Sequence, residues 1–325
     1  ENIYEFIDEL ATGGIVEVNS AIKPYSRTFI AEKLAKAGQQ EDKLTERQKQ
    51  ELKFYMLEYK LELEPLPDYN PKFDIFKKNE NLAFAINPLG GYYKDDIFTL
   101  SVKPIWGIQY FVKEGENIYH RWGGAEAFAY VGDHWGFYAS LRDNNETKRI
   151  SEAEYFTRRP GGAYKGTPGG GGDYSEMRGG VTYSWKWGSV GLVKDHVTWG
   201  NNYHGAMIYS DRAPSFAQLK LRIKPVKWFE LNYFHGWLVS KEIDSIRSYY
   251  SVNPPREVYR PKYIAANMFT FTPWKKLDIS LGNSIIYSDM NVHPAYLIPI
   301  LFYKSVDHTI NQDIDNQNSQ MFFDI

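Results

Sequence analysis

Cysteine is missing from the chain altogether, which excludes disulfides, cysteine zinc sites and thiol nucleophiles. Long hydrophobic runs are missing too. None approaches the ~18–20 residues of a membrane helix, so any crossing of a bilayer must be made by strands. A charge excess of either sign is also lacking. The formal net charge is −2 over 325 residues, which argues against a nucleic-acid partner. The chain opens at Glu1, with neither an initiator methionine nor a leader, and reads as a mature, processed form.

Aromatic residues, by contrast, are plentiful. They make up 16% of the chain, with 25 Tyr, 19 Phe and 9 Trp, yet the mean hydropathy is only −0.50. A transmembrane barrel combines these two properties, because it pairs aromatic girdles and an apolar outer band with a polar interior.

Residues 1–66 carry helical periodicity. The first predicted helix is Ile3–Ala11, with Ile3, Phe6, Ile7 and Leu10 on one face and Gly13-Gly14 as its stop. The second starts after Ser26 as N-cap, carries Phe29, Ile30 and Leu34, and ends at Gly38. The third starts at Thr45, where Gln48 has capping-box spacing, and aligns Leu52, Tyr55, Met56, Tyr59 and Leu63. Pro65 and Pro67 close the segment. A plain three-helix module and a periplasmic plug or interaction domain need the same apolar faces, so both readings stay open.

From Pro71 onward the period is two. Ala125, Ala127, Ala129 and Val131 oppose Glu126, Phe128 and Tyr130; Phe137, Ala139 and Leu141 oppose Tyr138, Ser140 and Arg142. The same alternation runs through 181–187, 218–223 and 277–287, and roughly a dozen strands can be counted in this way. Tight turns are expected at Lys103–Trp106, Lys186–Ser189, Lys224–Trp228 and Thr272–Lys276, where Trp beside Lys suits a membrane–water boundary. Long loops are expected at about 143–178, 199–214, 240–260 and 288–317. Short turns at one end and long loops at the other is the pattern of an outer-membrane barrel; a soluble sandwich or propeller would share the strand spacing but not the Trp-Lys turns. The expected fold is therefore mainly β: a transmembrane antiparallel β-barrel over 71–325, preceded by a small helical domain over 1–66. Asn318–Ile325 reads as a strand without a turn after it, so further C-terminal strands are expected.

The candidate binding residues lie in one connection: Trp199, Asn201, Asn202, Tyr203, His204, Asp211 and Arg212, with Tyr209 among them. Aromatic faces stack on sugar C–H faces, while amides, carboxylates and guanidinium groups bind hydroxyl or acidic groups. This composition suits carbohydrate, and it equally suits a rigid filling at a barrel mouth. Gly161–Gly172 lacks the ending of a phosphate loop and reads as an exterior loop. Asp195, His196 and Ser210 have no nucleophile-elbow context, and the seven histidines lack metal-ligand spacing, so neither catalysis nor a bound cofactor is expected.

Two stretches carry a resemblance. Trp199-Gly200, Met207-Ile208, Ser210, Ala213-Pro214 and Leu219-Lys220-Leu221 resemble the Wzi family of outer-membrane capsule-assembly proteins. Pro294-Ala295-Tyr296-Leu297 and Phe302-Tyr303-Lys304-Ser305-Val306 are similar to Wzi-like proteins of the Bacteroidetes type. Asn201-Asn202 depart from the family's Pro-Gly at that point. The resemblance implies a periplasmic helical domain ahead of a barrel of about 18 strands, incomplete here. It also implies a non-enzymatic role in anchoring surface polysaccharide at a Gram-negative outer membrane. Partners are then membrane lipid, the polysaccharide and other outer-membrane proteins; an accessory subunit of a larger machine or a diffusion channel are the alternatives.

Overall fold

A computed structural model describes residues 2–63, 81–86, 89–113, 115–152, 165–200, 206–210, 213–249, 251, 255–312 and 317–325. The helical part contains α1 (Asn2–Thr12), α2 (Arg27–Gly38), α3 (Glu46–Glu58) and α4 (Lys60–Leu63). Its caps follow from local chemistry. Ser26 Oγ accepts the Phe29 amide at 3.2 Å. Thr45 and Gln48 close a capping box, with the Thr45 amide donating to Gln48 Oε1 at 2.9 Å. Phe6, Ile7, Leu10, Ile30, Leu34, Leu52 and Tyr59 form one core. The third predicted helix breaks at Tyr59, which caps α3, and resumes as α4.

The strands are β1 (Ile22–Lys23), β2 (Leu82–Ile86), β3 (Leu89–Lys94), β4 (Phe98–Lys113), β5 (Glu116–Val131), β6 (Trp135–Glu146), β7 (Lys165–Gly166), β8 (Gly172–Trp185), β9 (Gly188–Asp195), β10 (Thr198–Trp199), β11 (Phe216–Val226), β12 (Phe229–Leu238), β13 (Lys262–Trp274), β14 (Leu277–Ser288) and β15 (Asn318–Asp324). A short helix, α5 (Lys148–Glu152), follows β6, and α6 (Tyr303–Asn311) lies between β14 and β15. Apart from the separate β1–β10 pair and the small β7, the strands form an antiparallel meander in chain order from β2 to β15. Among the described residues β2 and β15 are its two edges.

Five short connections lie at one end of the sheet, after β3, β5, β8, β11 and β13. Adjacent turns are stitched together there: Gly132 N donates to Ile97 O, Ser184 N to His134 O, Lys224 N to Trp187 O and Thr272 N to Trp228 O. Pro225 and Pro273 each sit at a register shift just before a turn, where a residue without an amide proton is tolerated. The connections after β6, β9, β12 and β14 are long and lie at the opposite end, as does the tight β4–β5 hairpin.

One expected turn is corrected. Lys103–Trp106 lies inside β4, a strand of 16 residues. Pairing with β3 stops at Val102, so beyond it β4 has β5 as its described neighbour. A proline can stand in a strand where one side is unpaired, and among the described residues Pro104 has no partner on that side. The first long connection, expected at 143–178, is also shorter than expected, because β6 continues to Glu146 and β8 begins at Gly172.

The sheet's two faces have inverted polarity relative to a soluble core. On one face Ser101, Lys103, Ser140, Asn144, Gln218 and Asn232 are buried. On the other, Val102, Trp106, Ile108, Phe137, Leu141, Met177 and Leu192 are exposed, Trp106 by 77%. The helical part lies against the polar face near the short-turn end. Lys103 Nζ bonds Glu58 at 2.6 Å, Tyr130 Oη donates to Glu62 at 2.8 Å, and Asn19 Nδ2 donates to Thr270 Oγ1 at 3.2 Å.

Candidate functional site

The connection between β9 and β11 holds every candidate binding residue. Asn201, Asn202, Tyr203, His204, Asp211 and Arg212 lie outside the described residues. Trp199 is described, and its setting differs from a loop residue open to solvent. It ends β10, pairs with Ile22 of β1, and exchanges backbone hydrogen bonds with Tyr209 at 2.9 and 3.1 Å. Its ring is 3% exposed and meets Phe234, Tyr209 and Phe322 edge-on at 5.0, 5.7 and 6.2 Å. A ring enclosed on this many sides presents no free face to a sugar; it fastens the connection to the sheet. The N-terminal segment takes part, because Ala21 packs in the same cluster and accepts the Gly200 amide at 2.8 Å.

Below this connection the polar face carries a linked set of charges. Tyr138 Oη donates to Asp195 Oδ2 at 2.8 Å, and Arg178 reaches Asp195 and Glu176 at 3.5 and 3.3 Å. His196 meets Glu176 through Nε2 at 2.8 Å and the Ala213 carbonyl through Nδ1 at 2.9 Å. Both ring nitrogens are thereby engaged. Among the described residues no cluster of His, Asp and Glu could hold a metal ion. A second set surrounds Glu230, which takes Arg222 at 2.8 Å, Lys224 at 3.1 Å and Asn232 at 3.0 Å.

A third set fastens the helical part. The Arg27 guanidinium lies 4.3 Å from the ring centroids of both Tyr59 and Phe128. Its Nε and Nη2 donate to the Glu62 carboxylate at 2.6 and 3.2 Å, and Nη2 also reaches the Glu58 carbonyl at 2.9 Å. Burial opposes the charged guanidinium, but the bonds to Glu62 outweigh it and its pKa is raised. Burial likewise pushes the Tyr59 hydroxyl up to about 12.

These partners are far apart in the chain, so spacing alone does not pair them. The available signal was the charged residue recurring on one side of apolar strands: Lys103, Glu126, Arg142, Arg178, Arg222. Charges on a face that is buried need partners. Comparisons with protein-family models, with curated proteins and with solved structures find no match to this chain.

Proposed function

We propose that this chain belongs to an outer-membrane β-barrel that holds surface polysaccharide at the cell exterior and performs no chemistry on it. The inverted polarity of the sheet carries this reading. Exposed Trp106, Ile108, Leu141, Met177 and Leu192 suit lipid chains, and the buried ion pairs behind them suit a barrel interior. Trp187, Trp228 and Trp274, exposed at the short-turn end, suit the headgroup region of the periplasmic side. The long connections then face outward, and the stretch from Asn201 to Arg212, with its amides, aromatics and charges, is the place for a glycan. The Wzi resemblance of the same stretch supports that assignment. The helical part, bound to the polar face through Lys103–Glu58 and Tyr130–Glu62, favours a filled interior over a diffusion channel.

The test is flotation of proteoliposomes carrying the protein together with the producing strain's own surface polysaccharide. The polysaccharide should float with the wild-type vesicles. It should stay in the dense fraction when Asn201, Asn202, Tyr203 and His204 are all replaced by Ala. Equal flotation with both proteins would move the site elsewhere, and no flotation with either would end the polysaccharide reading.

A further inference from the structure

The connection after β14 does not project away from the sheet. It folds back over the apolar face, with a helical turn at Pro294–Leu297 and then α6. Tyr296 and Tyr303 are fully buried against Tyr233, Ala265, Ile285 and Tyr287. Residues 298–302 between them have no regular structure, and polar side chains satisfy their backbone. Asn267 Nδ2 donates to the carbonyls of Pro299 and Leu301, both at 2.9 Å. Asn283 Nδ2 donates to the Leu301 carbonyl at 3.2 Å, and Asn283 Oδ1 accepts the Tyr303 amide at 2.9 Å. Tyr303 Oη bonds the Ile298 carbonyl at 3.2 Å, and Tyr233 Oη bonds the Tyr296 carbonyl at 2.9 Å.

The outer surface of the same stretch is apolar. Leu297, Ile298, Ile300 and Phe302 are all exposed, Ile300 by 65%, and Met321 and Phe323 of β15 lie exposed on the same face. Two separate problems are solved by one arrangement. Asn267 and Asn283 pair across β13 and β14 in mid-strand, seven residues along from Trp274. With a tilted strand that places them about 18 Å above the Trp274 level, inside an apolar band about 25 Å tall. Amides facing hydrocarbon are costly, and so is irregular backbone facing hydrocarbon. Each supplies what the other lacks. A connection in water would need neither the mid-strand amides nor an uninterrupted apolar outer row.

We infer that residues 297–302 are a strap immersed in the outer leaflet, whose partner is the acyl chains of membrane lipid and whose anchors are Asn267 and Asn283. The inference rests on the membrane-spanning reading of the sheet, and its test separates the two. Because the chain has no cysteine, a single spin label can be placed at Ile300→Cys, or at Leu192→Cys on the uncovered apolar face. Collisions with oxygen dissolved in lipid and with an aqueous nickel complex are compared in proteoliposomes. Both labels should meet oxygen and be shielded from nickel. A shielded label at 192 with a nickel-accessible label at 300 would overturn the strap alone. Nickel access at both positions would overturn the strap and the membrane reading together. In Asn267→Leu/Asn283→Leu the label at 300 should lose its shielding while the label at 192 keeps it; unchanged shielding at 300 would overturn the role of the two asparagines.

Discussion

Replacing Arg27 by Ala should strand the Glu62 carboxylate where the helical part meets Tyr130 of the sheet, and so favour undocking. Arg27 and Glu62 side chains are 17% and 1% exposed, so their pair is buried. Without Arg27 the docked Glu62 carboxylate keeps the hydrogen bond from Tyr130 Oη but loses its cation. Breaking such a pair from one side costs about 3–5 kcal/mol, because a charge is left behind uncompensated. The contact with the Phe128 ring of the sheet, at 4.3 Å, is lost with it. At about 4 kcal/mol the docking equilibrium shifts roughly a thousandfold. Hydrogen exchange of the reconstituted protein reads this directly: amides of α2 and α3 that exchange through undocking should speed up by that order, while those of β12 and β13 should not. Removing both charges in Arg27→Met/Glu62→Met should recover most of the loss, since a well-packed apolar pair replaces a buried ionic one at little cost. If the two single substitutions simply add in the double variant, the argument from an uncompensated charge is refuted.

Trp199→Ala should destabilise the protein by about 3–5 kcal/mol, the range for emptying a buried aromatic site, and should loosen the connection that follows it. Urea unfolding monitored by the remaining tryptophans checks this; a near-neutral effect would contradict an enclosed Trp199 ring. Thr45→Ala should cost about 1 kcal/mol through loss of the capping box, read as an earlier denaturation midpoint of the helical part with the sheet unchanged. Acid should weaken the helical part. Hydrogen bonding from Arg47 holds Glu9 below the usual carboxylate range, and Lys36 does the same for Glu32. Groups lowered in the folded state stabilise it above the ordinary carboxylate pKa, and that contribution fades as pH falls through the lowered values. A denaturation midpoint that rises on acidification over that range would contradict this sign.

Local chemistry was legible in the sequence wherever it is written in adjacent residues. The Ser26 and Thr45 caps, the alternation around Ala125, Phe137 and Leu219, and the turns at Trp187, Trp228 and Trp274 follow from spacing alone. What spacing does not contain is which neighbour covers a face. Pro104 reads as a turn until its place in β4 is known, beyond the last described pairing with β3 at Val102. Trp199 reads as a loop aromatic until Ile22 and Phe234 are seen to close over it. Tyr303–Asn311 reads as loop because its helical face, with Tyr303 and Asp307 buried, takes its meaning from the sheet it packs on. Arg27 with Glu62 and Lys103 with Glu58 join residues 35 and 45 apart, beyond the reach of any period.

The inverted sheet is most directly tested along β6. Six single-cysteine variants, at Phe137 through Arg142, would each carry a spin label in proteoliposomes of the full chain. Labels at 137, 139 and 141 should collide with lipid-dissolved oxygen, and labels at 138, 140 and 142 should not. Loss of that alternation, with all six open to the aqueous nickel complex, would contradict a membrane-spanning sheet.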